Sequence, residues 1–188
     1  MDKINNLKFD QEINRIEKQI QELYLEDDIP WIVGYSGGKD STAVLQLTWN
    51  AIAKLDAEQR KKKIYVISTD TLVENPVVSM WVTASLEKMK KEADKQNLPI
   101  EPNQLSPEID KTFWVNLIGR GYPAPRRGFR WCTERLKINP SKNFILNVIS
   151  DGGEAIMVLG IRKAESITRK SVIEKHENSS RNLLDKNS

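Results

Sequence analysis

The segment Tyr35-Ser36-Gly37-Gly38-Lys39-Asp40-Ser41-Thr42 constrains this chain most. It lies between an apolar run, Trp31-Ile32-Val33-Gly34-Tyr35, and a helical pattern opening Ala43-Val44-Leu45-Gln46-Leu47. A strand, a glycine turn and a helix start in that order predict an oxyanion cradle. Two glycines allow close backbone approach and dihedrals barred to other residues. The first amides of the helix lack intrahelical partners, and the helix dipole adds positive charge where they point. Phosphate is the natural guest of such a corner. Lys39 adds a full charge, and Ser36, Ser41 and Thr42 add hydroxyl donors.

Two familiar nucleotide loops are excluded. The phosphate loop of kinases and GTPases needs four residues between its glycines, followed by Lys and then Ser or Thr. Here three residues separate Gly34 from Gly38, and Asp40 follows Lys39. The dinucleotide fingerprint G-x-G-x-x-G is also missing. The length, 188 residues, suits one domain with a sizeable core. Charge is nearly balanced, 29 basic against 26 acidic residues, so the total argues neither for nor against nucleic acid. Between Ile118 and Lys137, however, Arg120, Arg126, Arg127, Arg130, Arg135 and Lys137 face only Glu134. A single cysteine excludes an internal disulfide and leads to the expectation of a reducing cytoplasm. The polar start, Met1-Asp2-Lys3-Ile4-Asn5-Asn6, is no secretory signal, and no apolar run approaches a bilayer's thickness, so no membrane partner is expected.

Three regions are expected: an amphipathic helix in 1–27, a nucleotide-binding domain in 28–170 and a polar tail in 171–188. In the first, Phe9, Ile13, Ile16, Ile20 and Leu23 recur at helical spacing, with Asp10 as cap. The second opens with the strand at Trp31 and a helix from about Ser41 to Leu55. Lys61-Lys62-Lys63 then reads as a solvated lead-in to a strand at Ile64-Tyr65-Val66-Ile67-Ser68. A long helix after Pro76 is expected to turn Val78, Trp81, Val82, Ser85, Leu86 and Met89 inward. Leu98-Pro99-Ile100-Glu101 reads as a short strand, Lys111 to Ile118 as helix, and Gly119 to Gly128 as loop. A further helix is expected from Asn139 as cap with Pro140 in its first turn, carrying Phe144, Ile145, Val148 and Ile149 inward and ending at Asp151-Gly152-Gly153. Ala155-Ile156-Met157-Val158-Leu159 reads as a buried parallel strand. Alternating strands and helices predict an α/β fold: an open parallel twisted sheet flanked by helices, Rossmann-like.

In such a sheet ligands bind beyond the carboxyl ends of the strands, where strand order reverses. Thr69 and Asp70, in Ser68-Thr69-Asp70-Thr71, sit at one such end and suit adenine, ribose or a magnesium ion; an Asp/Thr turn is the plainer reading. Gly160 begins another, Gly160-Ile161-Arg162-Lys163-Ala164-Glu165-Ser166-Ile167-Thr168-Arg169. There Arg162 and Arg169 can clamp an anion bidentately, or form an ordinary salt-bridged helix start. Cys132 lies among arginines and Trp131, which favours a reactive thiolate; the competing reading is a small core residue. The loop Arg120-Gly121-Tyr122-Pro123-Ala124-Pro125-Arg126-Arg127 has the composition to track a nucleic-acid backbone, or is a proline-rich surface loop. His176, the one histidine, falls in the polar tail and supports no His-based triad.

Ser-Gly-Gly-Lys-Asp-Ser resembles the pyrophosphate loop (PP-loop) of the ATP pyrophosphatases. Together with Arg130-Trp131-Cys132-Thr133, Lys137, and Gly160-Ile161-Arg162 with Glu165, Ser166 and Arg169, it resembles the PAPS reductase-like branch. Within that branch the likeness is greatest to the DndC-type sulfurtransferase of DNA phosphorothioation, over about Ile29 to Arg169. The resemblance implies an adenine nucleotide α-hydrolase fold, ATP and Mg2+ as ligands, and cleavage between the α and β phosphates. It implies replacement of a DNA phosphate oxygen by sulfur, with DNA, a cysteine desulfurase and other phosphorothioation subunits as partners. By carry-over Ser36, Gly37, Gly38, Lys39, Asp40 and Ser41 hold pyrophosphate; Thr42, Thr69, Asp70 and Gly160 are further candidates for the nucleotide site. Asp40 and Asp70 are the metal candidates; Arg162 and Arg169 stabilise charge at the reacting phosphates, and Cys132 is the sulfur-relay or cluster thiol. DndC-type proteins are longer and carry an iron–sulfur cluster, which needs several thiolates. With one cysteine here, a cluster is expected only if further cysteines lie beyond this chain, which is then a fragment. Two other readings stand: a reductase acting on a small sulfonucleotide, and a non-catalytic DNA-binding or assembly module.

Overall fold

The computed structural model describes residues 2–149, 153–162, 171, 174 and 175. Helix α1 (Asp2–Leu25) precedes strand β1 (Trp31–Gly34), helix α2 (Lys39–Ala53), strand β2 (Ile64–Thr69), helix α3 (Pro76–Lys95) and strand β3 (Ile100–Leu105). After a π-helical turn at Val115–Gly119, a nearly continuous helical run comprises α4 (Trp131–Thr133), a second π turn (Glu134–Ile138) and α5 (Asn139–Val148). Strand β4 (Ile156–Val158) follows. All the strands pair in parallel, in the order β3-β2-β1-β4. The chain moves outward from β1 through β2 to β3, then returns to the other side of β1. This is the expected open parallel α/β sheet, and its order reverses between β1 and β4.

Alternation along the strands divides the helices between the two faces. Trp31 and Val33 of β1 and Ile64 and Val66 of β2 share a buried cluster with Leu45 and Ile52 of α2 and Val82 and Leu86 of α3. On the opposite face Tyr65 meets Phe144 of α5 edge-to-face, with ring centroids 5.7 Å apart. Pro102 is accommodated because β3 lies at the sheet edge, where a missing N–H breaks no central ladder. Asn75 caps α3 by accepting from the Val77 amide at 2.9 Å, and Pro76 follows at the first helical position. Arg60 gathers the open carbonyls at the end of α2, donating to Ala53 and Leu55, and reaches Gln96 beyond α3.

Several sequence expectations need correction. Asp10 lies inside α1, which begins earlier, so it caps nothing. Phe9 and Leu23 are exposed, while Glu17, Ile20, Gln21 and Tyr24 face the domain. Glu17 is buried against Lys54, and Gln21 donates to the Ala51 carbonyl at 2.8 Å, so this face docks through polar contacts as well as apolar ones. On α3 it is Val82, Leu86 and Ala93 that bury; Val78 and Trp81 stay about half exposed and Met89 partly buried. Asn139 is helical, with φ −63° and ψ −45°, and so is no cap. Its amide reaches back five residues to Glu134, and this π turn accommodates Pro140, which has no amide to donate. Strand β4 pairs only with β1 among the described residues, leaving Ile156 and Met157 exposed rather than buried. Asp151 and Gly152, the expected end of α5, and most of the polar tail lie outside the described residues.

The largest departure is Lys62, expected to be solvated but only 5% exposed. Its ammonium lies 2.8 Å from Asp27 Oδ1, 5.0 Å from the Tyr24 ring centroid and 5.1 Å from that of Trp31. The Tyr24 hydroxyl donates to the Lys62 carbonyl at 2.6 Å. One buried cation thus joins the end of α1, the following loop and the entries to β1 and β2. Cation–π contact and a counter-ion together offset its desolvation.

The Lys62 hydrogen bond, more than any other influence, holds the Asp27 carboxyl below its usual 3.8. The folded state favours the carboxylate, so this contribution to stability is complete above that value and is lost as pH falls through the depressed folded pKa. Burial pushes the Tyr24 phenol up from 10.0 to about 12, so its contribution is complete below 10.0 and is lost as pH climbs toward 12. Lys62→Ala is expected to cost about 3 kcal/mol in urea unfolding, since it removes buried methylenes and leaves a cavity beside Tyr24 and Trp31. Asp27→Asn should flatten the acid limb of a melting-temperature profile; an unaltered limb would assign acid lability to other carboxylates.

Candidate functional site

Strand β1 runs out of the core at Gly34, and the Tyr35 amide donates to the Ile67 carbonyl at 2.8 Å, carrying the strand's path alongside β2. The chain then turns through Gly37, whose φ of +73° is in the left-handed region that favours glycine. A side chain there would also collide with Trp81, its Cβ only 2.5 Å from the indole. Gly38 is extended and begins α2 with no side-chain cap on the helix. The amides of Lys39, Asp40 and Ser41 therefore remain open donors, and the helix dipole concentrates positive potential before them.

The loop hydroxyls act differently from expectation. Ser41 Oγ and Thr42 Oγ1 donate to the Gly38 carbonyl at 3.0 and 2.8 Å. Ser41 Oγ also accepts from the Ser36 amide at 3.2 Å and lies 3.1 Å from Ser36 Oγ. These groups fix the turn's shape and leave backbone amides as its ligand-facing donors. Gly160, just after β4, packs on the same corner. A Cβ there would fall 2.7 Å from the Asp40 carbonyl oxygen and 3.1 Å from the Ser41 nitrogen. Absence of a side chain is thus a steric requirement of the β1–β4 junction.

The reversal in strand order opens a cleft of about 880 Å3. Of the sequence-predicted residues, Ser36, Gly38, Lys39, Asp40, Ser41, Thr69, Asp70 and Gly160 line it together. Gly37, Thr42 and Arg162 stand beside it. Arg162 Nε donates to Asp40 Oδ1 at 2.9 Å, so two groups assigned separate duties face one another directly. Asp70 accepts from the Leu72 amide and from Ser79 Oγ, each at 2.9 Å, which is the turn-forming role as well as a cleft position. Cys132 is half-buried on α4 and does not line the cleft. Arg169 lies outside the described residues.

On the far wall Lys137 belongs to the resemblance, but sequence alone assigns no residue there a role in the site. Lys137, Ser141, Lys142 and Ile145 line the cleft from the helical run. Their spacing is the signal that was available, since residues four apart share a helix face. Lys137 pairs with Glu74 at 3.3 Å across the cleft, and Ser141 Oγ lies 3.4 Å from Thr69 Oγ1. Among the described residues Lys39 and Lys142 form no ion pair. The cleft therefore combines open amides and unpaired ammonium groups with an apolar floor that includes Ile67, Met157 and Leu159. No three His, Cys, Asp or Glu side chains group as a metal-ligand set among the described residues. Asp40 and Asp70 nevertheless supply hard oxygens in the number magnesium takes when phosphates complete its shell.

Gly160→Ala forces the β4 exit away from the Asp40 carbonyl. Overpacking of this kind costs about 1–3 kcal/mol of folding stability, so the midpoint of urea unfolding should fall. An unchanged midpoint would show that the β4 exit can move away from the Asp40 carbonyl without strain.

The sequence matches no protein-family model. It is 31% identical over 160 residues to an uncharacterized protein of Methanocaldococcus jannaschii. That alignment takes in 85% of this chain, which spans 28% of the length of the curated relative it matches.

Proposed function

We propose that this chain is an ATP pyrophosphatase of the PP-loop, PAPS reductase-like kind, acting as the sulfurtransferase of DNA phosphorothioation in the cytoplasm. The observation that carries the reading is the β1–α2 corner. Its amides are uncapped, its turn depends on Gly37, and Gly160 closes against it at the reversal of strand order. Such a corner suits a pyrophosphate group better than a single small anion, because the donors are distributed over a turn and a first helical turn.

In this reading a DNA phosphate oxygen attacks the α-phosphorus of ATP in line. The bond to the β-phosphate oxygen breaks, pyrophosphate leaves, and the DNA phosphate is adenylylated. The terminal sulfur of a persulfide from a partner cysteine desulfurase then attacks the DNA phosphorus, and AMP departs. A second thiol cleaves the S–S bond and leaves sulfur on the phosphate. The chain's contribution is position and charge. The amides of Lys39, Asp40 and Ser41 and the Lys39 ammonium hold the departing pyrophosphate. Arg162 neutralises charge beside it. Asp40 and Asp70 would hold Mg2+, whose chemistry is to screen the polyphosphate charge. The basic far wall, Lys137 and Lys142, suits the anionic acceptor.

ATP labelled at the α-phosphate, incubated with protein, magnesium and DNA, should yield labelled AMP while pyrophosphate is released. Lys39→Ala should slow that release by about 100-fold, the usual cost of one preorganised charge donor. ADP with orthophosphate as products would contradict the proposal.

A further inference from the structure

Arg126-Arg127-Gly128-Phe129 forms a tight hairpin. The Arg126 amide donates to the Phe129 carbonyl at 3.0 Å, and the Phe129 amide to the Arg126 carbonyl at 2.9 Å. Gly128, the second central residue, takes φ +88°, the positive value that a type II turn requires at that position. The hairpin stands on a fixed platform. Trp131 Nε1 donates to the Pro123 carbonyl at 2.9 Å, and the Trp131 ring stacks on Phe113 at 5.3 Å. Tyr122 packs edge-on against Trp131, and its hydroxyl accepts from Arg135 at 2.6 Å.

The charges on this platform divide into two groups. Arg120 pairs with Asp110, and Arg135 is held by Tyr122 and Asn116. Arg126, Arg127 and Arg130 are exposed and form no ion pair among the described residues. Three unpaired guanidinium groups within five residues repel one another, an arrangement that a polyanion relieves. Phe129 and Trp114 expose apolar rings on the same platform.

We propose that this hairpin is a docking surface for the sugar–phosphate backbone of duplex DNA. Guanidinium forks match phosphate oxygens bidentately, which an ammonium does not. A repeating polyanion is favoured over a single anion because the helical run begins directly after Arg130 and brings Lys137 to the cleft seven residues later, about 10 Å along its axis. A strand held at the hairpin can therefore continue to the cleft wall. The inference deepens the proposed function, on which its choice of DNA rests.

The test is fluorescence anisotropy with a labelled duplex of about 20 base pairs in about 50–200 mM salt. Replacing Arg126, Arg127 and Arg130 together by Ala should make the slope of log K against log salt shallower by about 2–3. Affinity near the middle of that range should fall about 100-fold, two powers of ten for three lost phosphate contacts. The triple Lys variant keeps the charge, so it should keep the slope while losing part of the affinity. A triple Ala variant with wild-type affinity and slope would overturn the proposal, as would wild-type protein that binds phosphatidylserine vesicles and not duplex. Pyrophosphate calorimetry on the same preparations separates the two ideas. Wild-type protein that binds duplex but not pyrophosphate leaves the hairpin assignment standing and removes the nucleotide reading.

Discussion

The structure depends on one helix start that the chain does not cap for itself. Most helices satisfy their first amides with a Ser, Thr, Asp or Asn side chain. Here the available hydroxyls, Ser41 and Thr42, turn back onto the Gly38 carbonyl, and the Asp40 carboxylate pairs with Arg162. The donors of α2 are left facing a cleft. Leaving them open costs stability unless water or an anion meets them, and the reversal of strand order beside β1 provides room for either.

The remainder of the fold holds this corner in place. Lys62 and its two aromatic rings fix the entry of β1, while the α2 and α3 side chains bury the strand's inner face. On the outer face α5 supplies Phe144 against Tyr65 and Ile145 at the cleft. The π turn ahead of α5 admits Pro140 without ending the helical run, so one element extends from the Trp131 platform to the cleft wall. Basic hairpin, anchoring aromatics and cleft lysines are thus mechanically continuous.

The parts legible in the sequence were those set by neighbours along the chain. The strand–glycine–helix corner, the alternation of strands and helices, and the Pro76 helix start follow from local propensity and steric rules. The parts that were not legible depend on distant partners. Lys62 reads as solvated until Asp27, Tyr24 and Trp31 surround it. Trp81 reads as core until Gly37 is seen beneath it. Asn139 and Pro140 have the composition of a helix start, and only the preceding π turn makes them interior. Likewise, the sequence offers Asp40 and Arg162 as separate site candidates, and their mutual ion pair belongs to tertiary structure alone.

The central claim is that open main-chain amides at the β1–α2 corner receive a diphosphate group. Residue-resolved amide chemical shifts during a pyrophosphate titration test it directly. The account predicts shifts concentrated at residues 37–42 and at Gly160, which touches the Asp40 carbonyl. Shifts confined to other helix starts, such as that of α3 at Pro76, with the 37–42 amides unmoved, would contradict it.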